Sequence, residues 1–478
     1  LTGSEISFET YGIILDGAEN VEIGNCHFEV GNERDKGVVI TGGSTNSTVM
    51  NCGFESTNSR AAAILLTGDD TRAINISGNK ILGATDWGYS TLILDEYVNN
   101  VGIYNNVFER SMRAVDVLKS DSIVIEGNLF DEVNDGVSIS NGSTEVKIRK
   151  NRFFNITSDE NVPNDICAIQ VRNSSGALIV NNFVHTIGEG ACIGLKLESA
   201  SSSNLYFNSF NVTNNDQQGN SACVSIKSSS SIGAKNNIFN IALAGAPVRI
   251  EMNEPILDFD RNDYFSSDKT IGFVNGSRFT DLSVWADSLG MDQSSFFVNP
   301  YYTSGTNLSI NQALLNDAGI PIPGITEDID SNPRDPSNPD VGAREYDPCP
   351  NDAGINEVIS PVEPISGGLE EVSVVLQNQG SGTLTSATIN WMVNEQGQEA
   401  YSWTGSLDAG ENSEVTIGDF DFLPGKLYVI KVWTSGPNNS TDCNHINDTA
   451  TSDQLAAPLC GNYTVGGADG DFSSFGDV

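Results

Sequence analysis

Basic residues are scarce in this chain of 478 residues: 24 Lys and Arg stand against 63 Asp and Glu, a formal net charge of −39. Most of such a surface repels a phosphate backbone or an anionic membrane, so neither nucleic acid nor membrane insertion is expected. Histidine is scarcer still. His27, His185 and His445 are the three present, and by spacing they assemble neither a Ser/His/Asp arrangement nor a His/Cys/Asp metal set. No apolar run approaches the roughly 18 residues of a membrane-spanning helix. The opening LTGSEISFETYG lacks a start Met, a basic stretch and the apolar stretch of a signal peptide, so the segment reads as excised from a longer polypeptide. Eight cysteines are too few for a disulfide scaffold. No GxGxxG or phosphate-binding loop supports a nucleotide cofactor, and no cofactor is expected from the motifs apart from calcium as a candidate.

What the chain does have is glycine, 47 residues of it, and an abundance of Asn, Ser and Thr, the composition of many short strands and turns. Over residues 11–265 these recur with a period of about 26 residues. The second half of each unit reads VEIGNCHF, STVMNCGF, AINISGNKI, VGIYNNVF, IVIEGNLF, VKIRKNRF and onward. One position stays in register ten times: Cys26, Cys52, Asn79, Asn106, Asn128, Asn151, Asn182, Asn208, Asn237 and Asn262. The first half is a second strand, with alternation such as Val137/Ile139, Ile169/Val171 and Leu195/Leu197 turning one set of side chains inward. Two or three short strands without a helix cannot close a sheet alone, so they pair with the same strands of neighbouring units. The result is a parallel β-helix, right-handed by the chirality rule for parallel crossovers, spanning residues 1–270 in about ten coils. Amides stacked about 4.8 Å apart bond to the coils above and below, and Asn also tolerates the left-handed turn that redirects the next strand.

These coils resemble the right-handed parallel β-helix repeats of pectate lyases, polygalacturonases and many bacterial surface proteins. Residues 271–347 lose the pattern and end in EDIDSNPRDPSNPDVGAREYD, similar to the closing segment that follows β-helices in large secreted bacterial proteins. From 348 to 457, alternation at Val372/Val374/Leu376, Ile389/Trp391/Val393, Val415/Ile417 and Tyr428/Ile430/Val432 predicts an immunoglobulin-like β-sandwich. The words NDAGI, LQNQGSGTLTSATINWMVN and NHINDT resemble adhesion-type sandwich modules in giant surface proteins of gliding Gram-negative bacteria that use type IX secretion. Residues 458–478 resemble the opening of another β-helix unit. The resemblance implies an all-β structural and adhesive repeat module of a large secreted filament or adhesin at the bacterial surface. Its partners would be neighbouring copies in a tandem array, bundled chains, and cell-surface or glycan targets.

Catalysis is the rival reading, because β-helices serve lyases and hydrolases as well as inert stalks. The basic cluster Lys147, Arg149, Lys150 and Arg152 reads as a solvated face, and Asp69 and Asp70 as turn carboxylates, so the chain is expected not to be an enzyme. Glycan binding through the loops 154–166 and 211–222, with Trp87 and Tyr89 as stacking rings, is a third reading. Asp328, Asp330, Asn332 and Asp340 have the alternating oxygens of a calcium loop but lack its Gly and bidentate Glu; capping the end of the β-helix is the competing role. Cys26 and Cys52 share the stacked Asn position. Cys167, Cys192 and Cys223 begin second strands, where stacking as buried apolar groups is expected. Cys349 and Cys443 flank the sandwich and are the candidate disulfide. Asp-Ser/Thr-aliphatic triplets make Ser122, Ser288 and Thr449 candidate O-glycan sites, on the resemblance to relatives of these bacteria.

Overall fold

A computed structural model describes residues 5–7, 11–31, 35–56, 61–83, 90–158, 166–188, 190–214, 216, 218–251, 257–302, 304–310, 312–363, 365, 367–457 and 466. The chain divides into two units, one made of residues 1–310 and 315–346, the other of 311–314 and 347–478.

The first unit is a parallel β-solenoid with three walls. One wall runs from Tyr11–Asp16 to Gly272–Val274 and ends in an antiparallel strand, Ser277–Phe279. A second runs from Glu22–Gly24 to Leu257–Asp260, and a third from Glu5–Ser7 to Asp263–Ser266. Every coil gives one short strand to each wall, and the pairing is in register from coil to coil. Period-2 alternation inside a closed cross-section sends one side chain inward from each pleat. On the third wall those inward residues form a single column: Phe28, Phe54, Ile81, Phe108, Phe130, Phe153, Val184, Phe210, Phe239 and Tyr264. Ring centroids of Phe130 and Phe153 are 4.4 Å apart and nearly coplanar in orientation, so the coil spacing itself sets the stacking distance.

Beyond Ser277–Phe279 the chain departs from the coil and makes one short helix, Leu282–Leu289, capped by the Asp281 carboxylate and closed by Gly290 at φ 67°. Trp285 on this helix packs at a tilt against Tyr264, ring centroids 5.9 Å apart, extending the aromatic column, and its indole N–H donates to Asp292 at 2.9 Å. This segment plugs the end of the solenoid. Residues 296–346 do something else: they run back along the outside of the solenoid as a strap.

The second unit consists of antiparallel sheets, as expected of a β-sandwich. One sheet contains Ala353–Ser360, Gly368–Asn378 and Asn412–Phe422. The other is centred on Leu384–Val393, paired with Tyr401–Leu407 and Ile430–Ser435. Val372, Val374, Leu376, Ile389, Trp391, Ile430 and Val432 fill the space between them. Cys349 and Cys443 are bonded, with Cα atoms 6.2 Å apart. Residues 458–478 lie outside the described residues except for Gly466.

Candidate functional site

The corner between the second and third walls is built from two adjacent residues of each coil. The inner one is the repeated Asn. Its Oδ1 accepts the backbone N–H and the side-chain amide of the Asn one coil earlier, at 2.8–3.1 Å for Asn106 and Asn151 onto their partners. Its Nδ2 also donates to a carbonyl of the preceding coil, as Asn128 does to Ile103 at 2.8 Å. Cys52 joins the column through its N–H, which donates to Asn79 Oδ1. The column ends on Ser295 and Asp292, which take the N–H and Nδ2 of Asn262. Eight amides are thus buried with their polar atoms paired, as an interior of this polarity requires.

The outer residue of the corner precedes the Asn and carries the turn. Asn25, Asn51, Gly78, Asn105, Gly127, Lys150, Asn181, Phe207, Asn236 and Arg261 all have φ between 52° and 70°. The left-handed turn therefore belongs to this position and not to the stacked Asn, which corrects the expectation from sequence. The inner Asn is held by its side chain, so the residue before it absorbs the change of direction.

The strap binds this outer row. Lys150 pairs with Glu327 at 2.7 Å and donates to Ser331 at 2.9 Å. Asn181 donates to the Glu327 carbonyl and accepts from Arg334 at 2.8 Å. The Arg334 guanidinium lies 3.9 Å over the ring of Phe207 and pairs with Glu345 at 2.6 Å. Asn236 exchanges two hydrogen bonds with the backbone of Ile320, and Arg261 donates to the Ala318 carbonyl. Five successive corners are engaged. The run EDIDSNPRDPSNPDVGAREYD is organised by one carboxylate: Asp328 accepts from the backbones of Asp330, Asn332 and Glu345 and from the Asn332 amide, shaping the loop that presents Glu327, Asp330 and Arg334 to the corner.

The strap bears on the candidate calcium residues and on the basic cluster. The oxygens of Asp328 accept from N–H donors, Asp330 pairs with Arg152 and Arg344 at 2.5 Å, and Asp340 accepts from the backbones of Asp317 and Tyr346. Burial pushes Asp340 up to about 7. Asp328 caps a turn by collecting the backbone N–H groups of Asp330 and Asn332, and that turn lies along the flank of the solenoid. The basic cluster is not one solvated face. Arg149 pairs with Glu126 at 2.9 Å, while Lys150 and Arg152 anchor the strap.

Where the tip of the strap meets the outer row, a cleft of about 410 Å³ opens. Tyr104, Asn105, Glu126, Lys150 and Arg152 line it from the solenoid, and Ile329, Asp330 and Ser331 from the strap. Gly127 sits on its floor at φ 70°, where an added Cβ would strike the Asn105 side-chain oxygen. Beside the cleft, hydrogen bonding to Lys150 holds the Glu327 carboxyl below its ordinary range. Alternating carboxylates and cations beside one aromatic ring suit a small hydroxyl-rich ligand. Sequence reasoning missed this cleft because its two sides are separated by 177 and 178 residues at the Lys150 and Arg152 contacts.

Other sites are placed as follows. Trp87, Tyr89 and residues 159–165 lie outside the described residues. Ser288 and Thr449 are exposed and Ser122 is half-buried. Cys167, Cys192 and Cys223 are buried but do not stack on one another: Cys167 pairs with Ile193 and Cys192 with Ile166, an offset of one residue. Burial pushes Cys192 up to about 12, leaving an inert thiol. His185 is buried against Thr213, and desolvation lowers it to about 4. Among the described residues, one group of His, Cys, Asp or Glu gathers three ligand atoms, namely Asp442, His445 and Asp448 of the second unit.

The sequence profile of a family described as periplasmic copper-binding protein (NosD) matches residues 1–165. Within that stretch the described residues gather no group of three His, Cys, Asp or Glu ligands. No curated protein matches the chain. Among solved structures, the enzymatically active domain of bacteriophage CBA120 tailspike protein 2 is 9% identical with a TM-score of 0.38, over 96% of this chain and 73% of that one. DFA-IIIase from Arthrobacter chlorophenolicus, in complex with DFA-III, is 11% identical with a TM-score of 0.34, over 60% and 81%. The CARDB domain of a Pyrococcus furiosus protein, in complex with di-metal ions, is 22% identical with a TM-score of 0.19, over 22% and 87%. The expectation that the chain is not an enzyme is corrected by these findings. Enzymes stand among the structures it is similar to, at 9% and 11% identity.

Proposed function

We propose that this chain is a structural and adhesive module of an exported β-helix protein at a bacterial surface. The observation that carries the reading is the paired Asn column, continuous from Asn79 to Asn262 and terminated on Ser295 and Asp292. A rod whose coils are cross-linked by buried amides and strapped along one edge resists bending, which is what a repeated surface module needs. The Cys349–Cys443 bond supports an oxidising compartment outside the cytoplasm. No helix among the described residues is long and apolar enough to cross a membrane. Neighbouring copies in tandem, glycan targets and type IX export follow from the resemblance of the repeats and of the sandwich words.

Electron microscopy of the native full-length protein tests this. Filaments with a regular axial repeat support it; isolated particles count against it.

A second reading is favoured by the cleft at Lys150 and Asp330: a carbohydrate-acting β-helix whose groups are Glu126, Asp330, Lys150 and Arg152. Release of oligosaccharides from polysaccharide by the intact chain, abolished by Glu126→Gln, would establish it.

A further inference from the structure

The loop from Asp442 to Asp448 is tied at both ends of its first turn. Cys443 is bonded to Cys349, and Asp442 accepts from the backbone N–H of Ala353 at 3.2 Å and of Asn444 at 3.0 Å. Asn447 donates to Asp352 at 2.8 Å. These contacts fold the loop over the start of the strand Ala353–Ser360 and bring carboxylates together that lie about 90 residues apart in sequence. One ligand atom from each of Asp442, His445 and Asp448 lies within 4.8 Å of the other two.

Two observations separate this cluster from an ordinary group of surface acids. Asp448 is 8% exposed, and its Oδ1 is buried without a hydrogen-bond partner. The Oδ1 of Asn447, a residue 7% exposed, is in the same condition. Orphaned buried oxygens of this kind are costly unless something pairs with them. His445, in contrast, is exposed and holds Asp448 Oδ2 through Nδ1 at 2.9 Å. The arrangement is a pair of anchored, mostly buried carboxylates with one imidazole at the mouth.

We propose that Asp442, His445 and Asp448 bind a divalent transition-metal ion of the zinc class. Donors around a tetrahedral zinc at about 2.0–2.1 Å stand roughly 3.4 Å apart, within small side-chain rotations of the observed separation. One imidazole with two carboxylates suits zinc or manganese; calcium takes oxygen ligands alone. The ion supplies the missing partner for Asp448 Oδ1 and offsets the mutual repulsion of neighbouring carboxylates. With His445 exposed, one side of the ion faces water, so the site pins the loop to the sandwich and leaves a position open to an incoming ligand atom.

The test uses the full chain, stripped with chelator, loaded with Zn²⁺ or Mn²⁺ at neutral pH and passed through gel filtration. Metal per chain is then measured for the wild type, His445→Gln and Asp448→Asn. The wild type is expected to retain about one more equivalent than His445→Gln and to show a metal-dependent rise in its unfolding midpoint. His445 is exposed, so its variant keeps the fold even where Asp448→Asn does not. Equal retention by the wild type and His445→Gln overturns the proposal. So does retention of Ca²⁺ alone.

Discussion

Asn128 donates both its backbone N–H, at 2.9 Å, and its side-chain amide, at 3.0 Å, to the same Oδ1 of Asn151. A single oxygen thus ties two donors of the coil beneath it, and Asn128 repeats the arrangement toward Asn106 through its own Oδ1. Replacing Asn128 by Ala leaves the Asn106 N–H and amide buried without that acceptor. The expected cost is about 1–3 kcal/mol, read as a lower denaturant midpoint with an unchanged slope. An unaltered midpoint would mean that the column contributes nothing.

Arg334 is the strap's central bolt, 6% exposed and shared among Glu345, Asn181, the Gly342 carbonyl and the face of Phe207. Arg334→Ala strands Glu345 and uncovers Phe207, with an expected loss of about 3–5 kcal/mol. Arg334→Lys fails to restore it, because an ammonium neither forks between two acceptors nor stacks flat on a ring. Limited proteolysis checks this: residues 304–346 become cleavable in both variants while the solenoid core stays protected.

Asp263 gives the first unit a dependence on pH. It is fully buried, accepts from Val298 N at 2.9 Å through one oxygen, and its other oxygen has no partner. Burial pushes its pKa up from 3.8 to about 8. The folded state therefore binds a proton that the unfolded chain has released. Stability from this group is full below about pH 4, declines as pH rises between the two values, and is gone above about 8. Asp340, raised to about 7, acts in the same direction. The solenoid's unfolding midpoint is expected to fall between pH 5.5 and 8, and Asp263→Asn to flatten that fall. A midpoint rising with pH would contradict the assignment.

The solenoid thiols are expected to be silent. Cys26, Cys52, Cys167, Cys192 and Cys223 are buried, and burial raises Cys192 and Cys223. Iodoacetamide on the folded protein labels none of the five, and mild reduction first exposes Cys349 and Cys443. Early labelling of Cys192 in the native state would refute this.

Much of the solenoid was legible because its interior is a column of repeated choices. The Asn register and the large apolar residue two positions on specify both the corner and the wall. The left-handed position was not, since Asn, Gly, Lys, Phe and Arg all occupy it and no single residue type marks it. The strap's course was illegible for a different reason. Its partners Lys150, Asn181, Phe207 and Asn236 are spread over four coils, and only coil geometry lines them up. Asp328 illustrates the ambiguity: the alternation read as a calcium loop is the pattern of a carboxylate collecting backbone N–H groups. The D-x-x-H-x-x-D run at 442–448 was missed, since the spacing of the histidines gave no metal set; the fold over Asp352 is what gathers Asp442, His445 and Asp448.

The surface role is tested most directly by immunogold electron microscopy on intact cells of the source organism, with antibody against this chain. The account predicts label on the outer surface, in extended arrays, before any membrane is opened. Label that appears only after the outer membrane is permeabilised would contradict it.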